Sequence, residues 1–535
     1  MNDRSFLKKY GALALVLVLC AGVFCLFGMR KTGLFVDEVY TYGLSNSAYA
    51  PFLYDVKGGD LHDVLFTRSE AEDYLTVRDD GFSFASVYYN QTRDVHPPLY
   101  YELVHLVSSV FRGSCSKWIG LGINLCFYLL TLLVLYRLAL LAFDNTAAAA
   151  SAAGLYGLSR LAISDGMMIR MYMMLTFLTV LFALRCLQFL RMPDRRGGAV
   201  SVTAVLLSGL LTQYYFVFYA FFLCVAVDLV LLCRKDLRAF VRFSLAALAG
   251  VALAVVLFPA CLHQIFRGNG EVVGGTSVTD NLKNTAQYLP RIRYFLQALQ
   301  QMAAVKWVLF GALVLLLLLL PRLLRGGKGK GISFDVLTLL VPVLPAFAAV
   351  AILSPVREFR YLYNLGPFPA LAAGWLLAAL FRAAEDLPGR AVREYAAAAL
   401  CLCAALFSVR QAPPDNLFPE MRRYDEAIAP YTGDKCIYLT DGYYAPETQD
   451  LLQLRQFESF FITGSTASPE LLEYLGDAEE VVVYIDTGPF WSSGYDEEEM
   501  LALLEKDAGV QSRELLYRYD LDGLGGLSVT YLVRR

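Results

Sequence analysis

Apolar runs long enough to cross a bilayer recur along this 535-residue chain, and they restrict it to folds in which lipid is the main solvent. Each such run needs about 20 mostly apolar residues to cover a hydrocarbon core about 30 Å thick. The first, Gly11 to Gly28, follows Arg4, Lys8 and Lys9. No small-residue cleavage site follows it, so it reads as a retained span rather than a signal peptide. Further runs begin near Trp118, Ala147, Met167, Val200, Tyr215, Phe243, Val305, Val336, Tyr361 and Tyr395, which brings the expected number to about eleven. The composition agrees: 57% hydrophobic and 18% charged residues, with a mean hydropathy of +0.48, lie well outside the range of an ordinary soluble domain.

The positive-inside rule orients these spans when the N-terminus is placed in the cytoplasm. Basic loops at Arg191 to Arg196, Arg234 to Arg238, Arg322 to Lys330 and Arg382 to Arg393 then all face inward. The stretch Leu99 to Phe111 is too short to span, and counting it would turn every later basic loop outward. It is expected to be an outer juxtamembrane helix, with Tyr100, Leu103 and Val107 on one face. Two long outer loops follow, Met29 to Lys117 and His263 to Ala304, with short outer turns near Asp165, Gln213 and Arg357.

Pro413 and Pro414 end the last apolar run, and beyond about Gln411 the pattern changes. Strands are predicted at Cys436 to Thr440, Ser459 to Ile462, Glu480 to Ile485, Leu515 to Tyr519 and Ser528 to Val533. Helices are predicted at Glu447 to Leu454, Pro469 to Leu475 and Glu497 to Lys506. The expected organisation is therefore a transmembrane domain over 1–410 and a small α/β domain over 411–535, which the span count places outside the cell.

Several classes are excluded or unsupported. A net charge of −3 with dispersed basic residues gives no nucleic-acid footprint. The 11 cysteines lie mostly inside apolar runs and form no zinc pattern. The residues indicate no cofactor, and although a divalent cation is compatible with the chemistry below, no pattern calls for one. Gly326 to Gly331 lacks the first glycine of a P-loop, and a basic inner loop explains it.

The first outer loop carries the chemistry. Its opening, Phe35-Val36-Asp37-Glu38-Val39-Tyr40, puts two adjacent carboxylates just beyond the first span, where a solvated loop pair or a helix N-terminus would also account for them. Near its end comes Asp94-Val95-His96-Pro97-Pro98-Leu99-Tyr100-Tyr101, in which two prolines restrict the backbone beside Asp94 and His96 and start the following helix. A histidine at an interface serves equally as a titrating group or as a satisfied structural one.

The Asp-Glu pair after the first span and the Asp-x-His-Pro-Pro-Leu-Tyr-Tyr motif at the end of the same loop resemble the protein O-mannosyltransferase and lipid A aminoarabinose transferase superfamily. The similarity extends through Arg170-Met171-Tyr172, Leu211-Thr212-Gln213-Tyr214-Tyr215 and Arg360-Tyr361 with Pro367 and Pro369, about residues 1 to 410. The resemblance implies a C-fold membrane glycosyltransferase using a polyprenyl-phosphate-linked sugar, set in membrane lipid, with a glycan, lipid or protein acceptor. Two positions depart from the family pattern. Met168 stands where many relatives carry an acid, which leaves Asp165 as the nearest second carboxylate, and Gln213 stands where histidine is frequent.

A lipid-phosphate sugar keeps its chain in hydrocarbon and its phosphate at the interface, so an enzyme for it needs cations at the outer ends of spans. Arg93, Arg170, Lys306, Arg357 and Arg360 are expected there, and snorkelling to headgroups is the structural alternative for each. Arg170 and Arg360 are favoured over Lys306 because guanidinium forks match two phosphate oxygens, with Tyr361 beside them. Asp37 is the candidate base, Glu38 its rival, and Asp94 and His96 candidate substrate contacts. A transporter or flippase of lipid-linked saccharides is the competing class; mid-span charge would favour it, and Asp228 is the main instance. A third reading makes the outer α/β domain a binding module on a degenerate membrane scaffold, against which the intact motifs argue.

Overall fold

The computed structural model describes residues 3–59, 61–266, 278–302, 310–311, 313–314, 334–385, 388–441, 446–488, 494–521 and 525–535. The chain divides into two units, Met1–Met29 with Leu121–Asp415, and Arg30–Gly120 with Asn416–Arg535.

The first unit is helical. Among the described residues eight helices are long and apolar enough to cross a membrane: Tyr10–Arg30, Lys117–Phe143, Tyr172–Arg191, Phe216–Cys233, Leu237–Leu257, Asp335–Leu353, Phe359–Ala383 and Arg390–Gln411. This is a multi-pass membrane protein, and the expected count of about eleven is not confirmed among the described residues. The run near Val200 forms a helix of 13 residues, Gly198–Leu210, about 20 Å long at 1.5 Å per residue. The span expected near Val305, together with Lys306, lies outside the described residues.

The run near Ala147 is split. Asn145 caps helix Thr146–Gly157 by accepting from the Ala148 N–H (2.8 Å), and Ser159 starts a second helix, Arg160–Met167, by accepting from the Ala162 N–H (3.1 Å). The guanidinium of Arg160 pairs with Asp415 at 2.5 Å. Small residues let neighbours press against the first of these helices: a Cβ on Gly374 would stand 2.8 Å from the Ala152 Cβ, and one on Gly154 would collide with Leu402.

The second unit is built on one six-stranded sheet in the order β1-β3-β2-β4-β6-β5, with β1 Val64–Thr67, β2 Lys435–Leu439, β3 Ser459–Thr463, β4 Glu480–Asp486, β5 Ser512–Leu521 and β6 Gly525–Arg534. Strands β3, β2 and β4 run parallel, and their buried apolar sequences fit a sheet covered on both faces. One face buries Ile437, Leu439, Val483 and Ile485 under helices Pro469–Leu475 and Glu497–Ala508, whose Leu471, Leu501 and Leu504 meet them. All five strands expected after residue 411 are present. Strand β1 was not anticipated: it comes from the long segment after the first apolar helix and pairs antiparallel with β3, Val64 opposite Ile462.

A helix, Leu99–Val110, occupies the stretch where a juxtamembrane helix was expected. Its buried side is Tyr100, Tyr101, Val104, His105 and Ser108, whereas Leu103 and Val107 are only partly covered.

Candidate active site

In the second unit, Asp37 and Glu38 lie in the first turn of helix Val36–Asn46, where carboxylates favour the helix dipole. Phe35 precedes the helix in an extended conformation, and its N–H donates to Glu38 Oε2 at 2.7 Å, the backward half of a capping box. The same oxygen receives the Lys31 ammonium at 3.0 Å, and both side chains are fully shielded from solvent. Lys31 also donates to the Asn416 carbonyl (2.7 Å) and lies 4.7 Å over the Phe418 ring. Burial pushes the Lys31 pKa down, and the Glu38 charge opposes that shift. Glu38 is thus held inside a structural network, while Asp37, about 100° further round the helix, is half-buried. The Asp37 carbonyl accepts from the Thr41 hydroxyl at 2.9 Å.

Asp94 follows helix Phe84–Arg93 as its C-terminal cap, its N–H reaching the Asn90 carbonyl (3.2 Å). His96 Nδ1 lies 2.8 Å from Asp94 Oδ2, and both side chains are largely buried. The structure therefore brings these two predicted residues together as a pair.

In the first unit, Arg170 is buried in the turn between helices Arg160–Met167 and Tyr172–Arg191. Asn124 fixes that turn, its Nδ2 donating to the carbonyls of Gly166 (3.0 Å) and Met168 (2.7 Å). Tyr172 meets Tyr361 and Tyr363 edge-on, with ring centres 6.5 and 6.1 Å apart. Tyr361 stacks on Tyr215 at 4.5 Å with an interplanar angle of 6°, and the Arg360 guanidinium lies 5.7 Å over the Tyr361 ring. The charges of Arg360 and Arg291 both act on Tyr215. Arg291, on helix Tyr288–Met302, is buried and donates to the Ala351 carbonyl (2.9 Å) and the Ser354 hydroxyl (3.0 Å). Sequence reasoning missed Arg291, which belongs to no motif, and the stacking of Tyr215 on Tyr361, which only packing reveals.

Of the remaining sequence candidates, Asp165 is fully buried and accepts from the Thr176 hydroxyl at 2.9 Å. Gln213 is also buried, its side-chain oxygen accepting from the Tyr214 N–H at 2.6 Å. Asp228 accepts from the Ser244 hydroxyl at 3.1 and 3.2 Å, which gives that mid-span carboxylate a structural partner on the next helix. The predicted site residues thus divide between the units: Asp37, Glu38, Asp94 and His96 in the second, Arg170, Arg360 and Tyr361 in the first. Among the described residues no three His, Cys, Asp or Glu side chains converge closely enough to hold a metal ion.

No family model and no curated protein matches the chain. Among solved structures, the crystal structure of ArnT from Cupriavidus metallidurans bound to undecaprenyl phosphate is similar over 98% of both chains, at 14% identity and a TM-score of 0.50. The archaeal oligosaccharyltransferase AglB from Archaeoglobus fulgidus, in complex with an inhibitory peptide and a dolichol-phosphate, is similar over 90% of this chain and 70% of its own, at 12% identity and a TM-score of 0.45. The arabinosyltransferase EmbB from Mycobacterium smegmatis is similar over 76% of this chain and 39% of its own, at 12% identity and a TM-score of 0.42. The likeness to ArnT extends over 98% of the chain, so the resemblance read from the motifs holds at the level of the fold, which is the C-type fold of membrane glycosyltransferases.

Proposed function

We propose that the protein moves a sugar from a polyprenyl-phosphate-linked donor to an acceptor at the outer membrane face, with inversion. The observation that carries this reading is the cationic and aromatic cluster of the first unit, Arg360 packed on Tyr361 with Arg291 acting on the stacked Tyr215. Arg360 stands at the head of the apolar helix Phe359–Ala383, where a phosphate meets headgroup depth while its prenyl chain stays in hydrocarbon. Guanidinium groups stabilise a departing phosphate, and tyrosines beside them offer hydroxyl donors or a face for the sugar. The fold shared with ArnT, which was captured with undecaprenyl phosphate, supports the same donor class by analogy.

In this reading an acceptor hydroxyl attacks the anomeric carbon from the face opposite the phosphate. The carbon–oxygen bond to phosphate breaks, polyprenyl phosphate leaves, and the hydroxyl proton passes to Asp37. Asp37 is preferred to Glu38 because Glu38 is committed to Lys31 and the Phe35 N–H. Arg170 is assigned to phosphate, and Asp94 with His96 to positioning the substrates. The N-terminus is placed in the cytoplasm and residues 411–535 outside, from the basic loops. Asp228, the feature that would favour a transporter, is accounted for by its bonds to Ser244.

The test is to supply the purified protein in vesicles with a panel of polyprenyl-phosphate sugars and candidate acceptors. Release of polyprenyl phosphate with a product of inverted anomeric configuration is expected. Retention of configuration, or passage of intact lipid-linked sugar between leaflets without cleavage, would exclude this reading.

A further inference from the structure

Acidic side chains gather in the second unit at the carboxyl ends of β2 and β4. The chain leaves β2 through helix Pro446–Leu454 toward β3 and returns across β2 to β4. The strand order therefore reverses between β2 and β4, the place where open α/β sheets leave a crevice for ligands. Glu447, in the first turn of that helix, has no solvent-exposed surface, and neither carboxyl oxygen meets a hydrogen-bond partner on another described residue, while its own backbone N–H favours its charge. Asp450, nearly one turn on, accepts from the Tyr438 hydroxyl through Oδ2 (3.1 Å), while its buried Oδ1 has no such partner. Asp486, at the end of β4, accepts from the Thr440 hydroxyl (3.1 Å) and the Gly488 N–H (3.0 Å).

This cluster adjoins the helix that carries Asp37. Gln449 Nε2 donates to the Leu34 carbonyl at 2.9 Å, and the hydroxyl of Tyr40 bonds to Thr448 while feeling the charges of Glu447 and Asp37. Asp37 and Tyr40 are three residues apart and share a helix face.

A buried carboxyl that no other residue satisfies is costly unless a ligand completes it. A metal ion would need several converging donors, and no set of three His, Cys, Asp or Glu side chains of that kind occurs among the described residues. Burial, with Asp486, Asp450 and Asp441 nearby, also pushes the Glu447 pKa well above the carboxylate range. A protonated carboxyl offers one donor and one acceptor, which suits a sugar hydroxyl and repels no neighbour.

We propose that the carboxyl edge of β2 and β4 is a saccharide-binding site in which Glu447 and Asp450 hydrogen-bond sugar hydroxyls, and that the bound sugar is the acceptor. The last clause rests on the transfer reading; the binding itself does not. The experiment uses the full chain in lipid nanodiscs, free of sugar detergents, and saturation-transfer NMR with the methyl glycosides of mannose, glucose, galactose and arabinose as probes. At least one glycoside is expected to bind the parent. Glu447→Ala should weaken it about tenfold or more, the loss of a hydrogen-bonded pair, whereas Glu447→Gln, which keeps a donor and an acceptor, should stay within about threefold. Binding of none of the probes by the parent, or equal effects of the two substitutions, would overturn the site. A parent that binds glycosides but transfers no sugar would sink the transfer reading alone. An unchanged acceptor KM in the Glu447→Ala protein would overturn the acceptor role.

Discussion

The Lys31 ammonium and the Glu38 carboxylate meet at 3.0 Å with no solvent access to either side chain, at the start of the helix that presents Asp37. Removing one member leaves the other charged and buried, which typically costs about 3 to 5 kcal/mol. Glu38→Gln should therefore lower the thermal midpoint markedly. Adding Lys31→Met should recover most of the loss, because glutamine still accepts from the Phe35 N–H. A double variant no more stable than the single one would show that the pair is not the source of the loss. Thermal unfolding of the four proteins of this cycle in one detergent measures it.

Asp37→Asn preserves size and most hydrogen bonding while removing the proton acceptor. Turnover should fall on the order of a hundredfold or more with donor binding retained, as for loss of a general base. Sugar transfer and polyprenyl-phosphate release, measured after folding is verified, decide the matter. Near-normal transfer would move the role to Glu38 or Asp94.

Arg360 is expected to hold the donor phosphate through its fork while resting on Tyr361. Arg360→Ala should raise the KM for donor much more than Arg360→Lys, which keeps the charge but loses the paired donors. Small and equal effects would mean that the residue only anchors the helix end to headgroups.

The basic loops predict an orientation that reporters can test. Reporters fused after Arg410 should be accessible from outside, as should reporters between Phe266 and Asn284, and one at Gly327 should be accessible only from the cytoplasm. A cytoplasmic signal from residues 411–535 would invert the assignment.

Burial pushes the pKa of Asp450 up from 3.8 to about 7, opposed by the Ser528 and Tyr438 hydroxyls near it. Between those values the folded state keeps a proton that the unfolded state has lost, so stability falls as pH rises through the window and levels above it. Asp450→Asn removes this penalty. The variant should gain on the parent steadily between about pH 5 and 7 and keep that gain at about pH 8. A difference in thermal midpoint that does not change with pH would contradict the shift.

Wherever the deciding interactions are local, the sequence alone was sufficient. Apolar run length marked all eight spanning helices, because hydrocarbon thickness sets the length of each span. Alternation and turn residues marked β2 to β6, whereas the Asp-Glu pair was compatible with a loop or a helix N-terminus, and the structure shows it at the start of helix Val36–Asn46. Tertiary structure decided what depends on partners far along the chain. Strand β1 is four residues long and gains its identity only from β3, almost 400 positions away. The run at Ala147 is mostly apolar, yet Ser159 starts a second helix within it and Arg160 pairs with the distant Asp415. Asp37 and Glu38 are both first-turn carboxylates, and it is the pairing of Glu38 with Lys31, itself bonded to the Asn416 carbonyl, that gives them different surroundings. Glu447 reads as an ordinary first-turn acid until the sheet closes around it and leaves its oxygens without a partner on any other described residue, because desolvation is a property of the assembled core and not of any local stretch of chain.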